Sequence, residues 1–266
     1  MVVNLKLLVV EGNLIEENQN FKKAGIQTHT ESLSDSLRYF NKNINLDVVN
    51  PSSDNSITDK VKDLNKYDGL IWGGSSLNIY NNTDEIIRQI SFMRECQTKI
   101  KKILAICWGM QVAVKALGGE VKKSSKGSHI GIANDIEINE KGLIHPLYKS
   151  KKKSFNSPAF NFDEVVALPK NAVCLASNKI NKIQSIYLKK NNCEIWGLQY
   201  HPEITYEKMI QLINFRKDKL INYRKVFSDE NQINEHIVFI KKEISRSNKE
   251  HRMLELKNWL QCLNGN

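Results

Sequence analysis

The sequence predicts an α/β protein: a doubly wound, mostly parallel sheet with helices on both faces, an antiparallel addition and a helical C-terminal appendage. Three observations carry this. Strand-like and helix-like segments alternate up to about residue 200, the order of βαβ units. Residues 103–106, Ile-Leu-Ala-Ile, are continuously apolar, as expected of a strand buried on both faces. Residues 205–266 hold no proline, and Gly265 is their one glycine, so little interrupts a helical stretch there.

The elements follow in order. Residues 5–11 form a short apolar run closed by Gly12-Asn13, a buried strand and its turn. Leu33, Leu37 and Phe40 have helical spacing. Residues 46–49 make a second strand, stopped near Pro51. Residues 69–72 make a third and open into Gly73-Gly74-Ser75-Ser76. Residues 83–98 are helical, with Ile86, Ile87, Ile90 and Met93 on one side. The 103–106 strand is followed by a helix over 110–117 that stops at Gly118-Gly119. Between 121 and 199 the pattern changes. Residues 136–138, 173–176, 183–188 and 195–199 read as strands separated by Asn, Lys and Pro turns, the antiparallel addition. In the tail, Met209, Leu212, Ile213 and Arg216 begin one helix and Ile237, Ile240 and Ile244 line another. Leu254, Leu256, Trp259, Leu260 and Leu263 form a third apolar set. The expected division is 1–204 for the α/β domain and 205–266 for an appendage packed on it, with a docking tail for a partner as the alternative.

With 266 residues, 41% hydrophobic and 26% charged, the chain is long enough to bury a core without disulfides. The net charge of +10 does not amount to a nucleic-acid signature: only seven of the 39 basic residues are Arg, and no aromatic-basic interleaving accompanies them. No apolar run approaches the roughly 18 residues of a membrane span, and the N-terminus lacks a signal-peptide layout. The five cysteines are odd in number and never in C-x-x-C spacing, which argues against a disulfide framework or a zinc site. A cytoplasmic protein without metal or cofactor, with no nucleic-acid or membrane partner, is expected.

One cysteine has a neighbourhood that explains itself. Cys107 stands where the 103–106 strand runs directly into a helix. Ala105 and Gly109, two residues to either side, are small enough for a sharp turn that lifts a nucleophile. The helix N-terminus there favours a thiolate, and the Trp108 backbone N–H is placed as an oxyanion donor. Cys96, Cys174, Cys193 and Cys262 are expected to be structural, with Cys193 in an Asn-rich turn. A thiolate nucleophile needs a base. His201 ends an apolar strand as His201-Pro202-Glu203, and Glu203 is close enough to reach back and orient the imidazole. His29 has no context, His129 lies in a Gly-flanked turn, His145 is a loop histidine, and His236 and His251 are expected on the surface. The Gly73-Gly74 loop after the third strand lets backbone N–H groups approach a substrate oxygen.

These pieces, in this order, resemble the class I (triad-type) glutamine amidotransferases, most of all the stand-alone, GMP-synthase-like branch. The matching motifs are Gly73-Gly74, Cys107-Trp108-Gly109-Met110-Gln111 and Gln199-Tyr200-His201-Pro202-Glu203. Weaker matches are Gly142-Leu143-Ile144-His145-Pro146-Leu147, Asp163-Glu164-Val165-Val166-Ala167-Leu168-Pro169 and Leu175-Ala176-Ser177-Asn178. The Leu256-Lys257-Asn258-Trp259-Leu260 ending is similar to the helical tail of bacterial members. The resemblance implies a flavodoxin-like fold and hydrolysis of a γ-glutamyl amide by Cys107, His201 and Glu203, through a thioester with release of ammonia. It also implies that Gly74 and Trp108 supply the oxyanion N–H groups, that Gly73 and Ser75 are substrate-binding positions, and that Gln111 and Gln184 hold the backbone groups of glutamine. The chain departs from the family at Gly73-Gly74-Ser75-Ser76, where Gly-Gly-Pro-Gly is common, and at Asn161, where many members have histidine. No Walker loop is present. Either ammonia passes to a synthetase on another chain, or the protein is a γ-glutamyl hydrolase acting on a peptide or metabolite. A non-enzymatic interaction protein is the third reading.

Overall fold

A computed structural model describes residues 4–53 and 63–263. Residues 1–3 and 264–266, at the ends of the two expected units, and residues 54–62 lie outside it. The strands are β1 (Lys6–Val10), β2 (Asn45–Val49), β3 (Gly69–Trp72), β4 (Lys102–Ile106), β5 (Glu120–Lys123), β6 (His129–Ile130), β7 (Ala133–Ile138), β8 (Ser154–Ser157), β9 (Phe160–Asn161), β10 (Asp163–Ala167), β11 (Ala172–Ser177), β12 (Ser185–Lys190) and β13 (Cys193–Leu198). The helices are α1 (Ile15–Lys23), α2 (His29–Phe40), α3 (Asp84–Lys99), α4 (Trp108–Ala116), α5 (Glu140–Leu143), α6 (Tyr206–Phe215), α7 (Glu230–Arg246), α8 (Lys249–Arg252) and α9 (Leu254–Leu263).

Nine strands form one sheet in the order β2-β1-β3-β4-β13-β12-β11-β7-β8. Every pairing from β2 through β13 is parallel, and every pairing from β13 to β8 is antiparallel. The absence of polar alternation in the parallel strands has a direct cause. Leu8, Val10, Leu70, Trp72, Ile103 and Ala105 face one core with Ile86, Met93 and Met110 of α3 and α4. Leu7, Val9, Ile71, Leu104 and Ile106 face a second core with Leu33 and Leu37 of α2 and Leu256, Trp259 and Leu260 of α9. A third core joins Met209, Ile213, Ile233 and Ile240 to Phe21, Ile130 and Phe160.

Register places the site. Trp72 of β3 lies opposite Ala105 of β4, and Leu198 of β13 lies opposite Ile106. The segments that follow these three strands therefore leave the sheet side by side: Gly73-Gly74, Cys107 and residues 199–201. They emerge at the carboxyl ends of the parallel strands, where open α/β sheets bind ligands.

The structure departs from the sequence reading in several elements. Helix α1 shows little apolar periodicity because only Phe21 is buried. Helix α2 starts at His29, four residues before the first periodic leucine. A Thr28–Glu31 capping box sets its start, each side chain bonded to the other's backbone N–H. Cys193 lies in strand β13, not in a turn; it pairs with Lys190 across a tight reversal in which Asn191 takes φ 54°. Among the described residues, no helix is long and apolar enough to cross a membrane.

Candidate active site

Cys107 sits between β4 and α4 with φ 52° and ψ −102°, backbone that a residue with a Cβ rarely adopts. Such a conformation costs on the order of 1–3 kcal/mol and persists only where the surroundings over-determine it. Three backbone bonds hold it here: Cys107 N–H donates to Leu198 C=O at 2.6 Å, Gly109 N–H to Gly73 C=O at 3.2 Å, and Gln111 N–H to Cys107 C=O at 3.2 Å. Position 109 has no room for a side chain, since a Cβ would lie 2.6 Å from the Trp72 carbonyl oxygen. The Trp108 ring is anchored by donation from Nε1 to Gln89 Oε1 at 2.7 Å. Its backbone N–H, at the first residue of α4, is one of the four that a helix leaves without an intrahelical partner.

His201 and Glu203 meet beside this thiol. His201 Nδ1 and Glu203 Oε1 are 2.7 Å apart, both residues 2% exposed. Burial alone would lower the basicity of the imidazole. The Glu203 carboxylate and the Cys107 sulfur, the latter both as charge and as hydrogen-bond partner, outweigh it and push the His201 pKa up to about 10. Gln199 Nε2 donates to Cys107 Sγ at 3.6 Å, and Gln111 Nε2 donates to Gln199 Oε1 at 3.4 Å. The His-Pro-Glu loop is fixed through its carbonyls. Arg252 Nη1 donates to those of Pro202 and Ile204, and Ser36 Oγ donates to that of Glu203 at 3.2 Å.

His29 acquires its context only in three dimensions. At the first turn of α2 it stacks on His201, ring centroids 5.4 Å apart and planes 19° from parallel. Burial, then the charges of His201 and Arg216, hold its pKa well below the ordinary value, so it is the neutral neighbour of a charged ring. Gly74 packs against both: a Cβ there would lie 2.7 Å from His29 Cε1 and 2.9 Å from His201 Cε1. His29, His201 and Glu203 offer three possible metal-ligand atoms within 4.8 Å of one another. Glu203 Oε1 is already bonded to His201 Nδ1.

A pocket opens at Cys107, lined also by Ser75, Asn78, Trp108, Gln111, Asn161 and Asp163, and closed by Arg216, Lys219 and Arg224 from the C-terminal segment. Asp163 accepts from Asn78 Nδ2 at 2.7 Å and Tyr80 Oη at 3.1 Å; burial raises its pKa despite both. Arg216 donates to Glu17 Oε1 at 2.9 Å and to Ser76 Oγ, and lies over the Phe21 and Phe160 rings. Arg224 donates to Asn78 Oδ1 at 3.2 Å and lies over Phe162.

The sequence candidates divide. Cys107, His201, Glu203, Gly74 and Trp108 come together, and Ser75 and Gln111 line the pocket. Gly73 uses both backbone groups inside the fold, donating to Val10 C=O and accepting from Gly109. Gln184 is fully buried and does not line the pocket; its amide lies 3.3 Å from His129 Nε2. His129 in turn bonds Asn161 Oδ1 at 3.2 Å and Asn178 Nδ2 at 2.9 Å, and burial holds its pKa at about 4. Asn161 thus sits between the pocket and this buried polar cluster. His145 packs between the Tyr187 and Trp196 rings. His236 and His251 are partly exposed, and each also joins the C-terminal segment to the rest of the chain: His236 Nε2 meets Ile130 C=O at 2.6 Å, and His251 Nε2 accepts from Lys152 N–H at 3.3 Å. Arg216, Arg224, Arg252 and His29 had no local signal.

A mostly parallel α/β sheet that brings a strained cysteine elbow and a His-Pro-Glu loop to the ends of neighbouring strands marks the chain as one of the α/β enzymes. The chain belongs to the class-I glutamine amidotransferase family, whose model matches residues 24–217. It is 28% identical to a γ-glutamyl-L-1-hydroxyisopropylamide hydrolase of a Pseudomonas species, over 97% of this chain and 93% of that protein. It is 30% identical to a glutamine-hydrolyzing GMP synthase component of Sulfolobus acidocaldarius, over 66% of this chain and 87% of that one. A γ-glutamyl peptidase of Arabidopsis thaliana is 30% identical, but the chain spans only 60% of its length. The fold matches that of a glutamine amidotransferase from Thermotoga maritima with a TM-score of 0.70 at 18% identity, covering 99% and 100% of the two chains.

Proposed function

We propose that the protein hydrolyses γ-glutamyl amides through a thioester on Cys107. The thiolate sulfur attacks the γ-carbonyl carbon, and the backbone N–H groups of Gly74 and Trp108 take the developing oxyanion. His201, having received the thiol proton, donates it to the departing nitrogen, and the C–N bond breaks. Water, deprotonated by His201, then cleaves the thioester to free glutamate and restore the thiol. Glu203 fixes the tautomer of His201 and supports its charge. The observation that carries this reading is the 2.7 Å His201–Glu203 pair held beside the strained Cys107.

A substituted γ-glutamyl amide is the favoured substrate. The relative that this chain matches almost end to end, C-terminal segment included, is named for hydrolysis of one. The second reading is an ammonia-supplying glutaminase that serves a synthetase on another chain. The similarity to the Sulfolobus GMP synthase component favours it, over a smaller share of the chain. Incubation with glutamine, a γ-glutamyl dipeptide and a γ-glutamyl alkylamide separates the two, with glutamate and amine release as the readout. Higher kcat/KM on the substituted amides supports the hydrolase. Glutamine preferred about tenfold or more supports the amidotransferase. Release of glutamate from none of them would end both.

A further inference from the structure

The pocket at Cys107 has a direction. In the proposed reaction the leaving nitrogen must face His201, which protonates it. His201 does not line the pocket, whereas Cys107, Trp108 and Gln111 do. The pocket therefore takes the acyl side of the scissile bond, the γ-glutamyl group, and its far wall meets the α-carbon substituents. That wall comes from the C-terminal segment. Arg216 follows α6 directly, Lys219 opens the π-helical turn after it, and Arg224 closes that turn.

Charge then selects the ligand. Three cations line the pocket, and Asp163 is the one carboxylate among its described lining residues. Glu17, which does not line the pocket, pairs with Arg216 at 2.9 Å, leaving one positive charge unmatched. The Arg216 side chain is only 14% exposed, so its charge is poorly screened. The Phe21 and Phe160 ring centroids lie 5.6 and 5.2 Å from the guanidinium carbon, which packs the group between them and the pocket. A guanidinium held this way is suited to bind a carboxylate. Burial, then the charges of Arg216 and Arg224, hold the Lys219 pKa below its ordinary value, the direction expected where cations crowd one pocket.

We propose that Arg216, assisted by Arg224 and Lys219, binds the α-carboxylate of the γ-glutamyl group, so that the C-terminal segment completes the substrate site. The inference rests on the reading of Cys107 as acceptor of that group. It makes Arg216 a specificity-determining residue supplied from outside the 1–204 unit.

Calorimetric titration of the 266-residue chain with L-glutamate and with 4-aminobutyrate, which lacks only the α-carboxylate, tests it without turnover. The wild-type protein should bind glutamate about 10- to 100-fold more tightly, the worth of a charge-assisted bond. Arg216→Gln should reduce that preference to within about threefold, and Arg224→Gln should reduce it partially. Because Arg216 also packs against two rings, Arg216→Lys serves where the glutamine variant does not fold; it should keep an intermediate preference. A purely structural role for Arg216 would weaken both ligands alike. The proposal is overturned if wild-type protein binds the two ligands equally, or if Arg216→Gln and Arg224→Gln keep the full preference. An Arg216-dependent preference in a protein that cleaves no γ-glutamyl amide would support the site and remove the hydrolase reading. Cleavage with no preference would do the reverse.

Discussion

At the scale of single residues, His201 carries the most consequential balance. Burial opposes its charge, and Glu203 and Cys107 support it more strongly, which places its pKa near 10. Its folded value is raised above the unfolded value of about 6.5. The stability it contributes is therefore fully present below about pH 6.5 and is lost as pH rises toward 10. Glu203→Gln removes the largest supporting charge, so the alkaline limb of the kcat/KM profile should move to lower pH; an unmoved limb would show that Glu203 does not set it. His201→Asn should lower kcat by several orders of magnitude, and Glu203→Gln by about two orders less, because orientation is more replaceable than the base itself. An electrophilic glutamine analogue should label Cys107 and no other cysteine, with labelling absent in Cys107→Ser. Cys96 and Cys193 are buried, with thiols that burial pushes up, to about 12 for Cys193, so labelling of either would contradict the assignment.

At the scale of elements, α8 and α9 hold the loop that carries His201. Arg252 of α8 binds the carbonyls on both sides of Glu203. Glu255 of α9 accepts from Tyr200 Oη at 2.8 Å and pairs with Lys151 Nζ at 2.9 Å, both charged side chains almost fully buried. Removing one partner of a buried pair leaves the other charge uncompensated, at a cost of about 3–5 kcal/mol. Glu255→Gln should thus lower Tm sharply, and Lys151→Met with Glu255→Met should lower it less. Arg252→Met should reduce kcat more than it raises KM, with partial recovery in Arg252→Lys, since the loop would shift while the acyl pocket stays intact. An unchanged kcat would remove the positioning role. These contacts also mark the limit of what the sequence discloses. The Cys107 elbow and the His201-Pro202-Glu203 loop were legible because each is one continuous segment whose small residues and apolar run imply its geometry. Arg252 lies 50 residues from Pro202, and Arg216 lies 140 from Ser76. No periodicity encodes a contact across such a distance. His29 was illegible for a different reason: Thr28 and Glu31, three residues apart, mark a helix start and say nothing of what the helix faces.

At the scale of the molecule, the question is whether the chain beyond residue 204 is a separable tail. Met253, Leu256 and Trp259 are each at most 1% exposed and pack on the sheet with Leu7, Val9 and Ile71. Trp259 reaches β3 itself, for a Cβ on Gly69 would lie 2.8 Å from its ring. At roughly 1.5–3 kcal/mol for each large buried side chain, these three alone contribute about 5–9 kcal/mol. That is comparable with the whole stability of an ordinary domain, about 5–15 kcal/mol. Deletion of the segment would also strip Arg216 from the pocket and Arg252 from the His201 loop. A chain ending at residue 204 is therefore expected to aggregate or to lose its cooperative unfolding transition, and the 266-residue chain should resist limited proteolysis between 205 and 263. A protease that removes the segment readily, leaving a soluble core that still hydrolyses glutamine, would instead show a tail held for a partner. That result would favour the ammonia-supplying reading over the hydrolase.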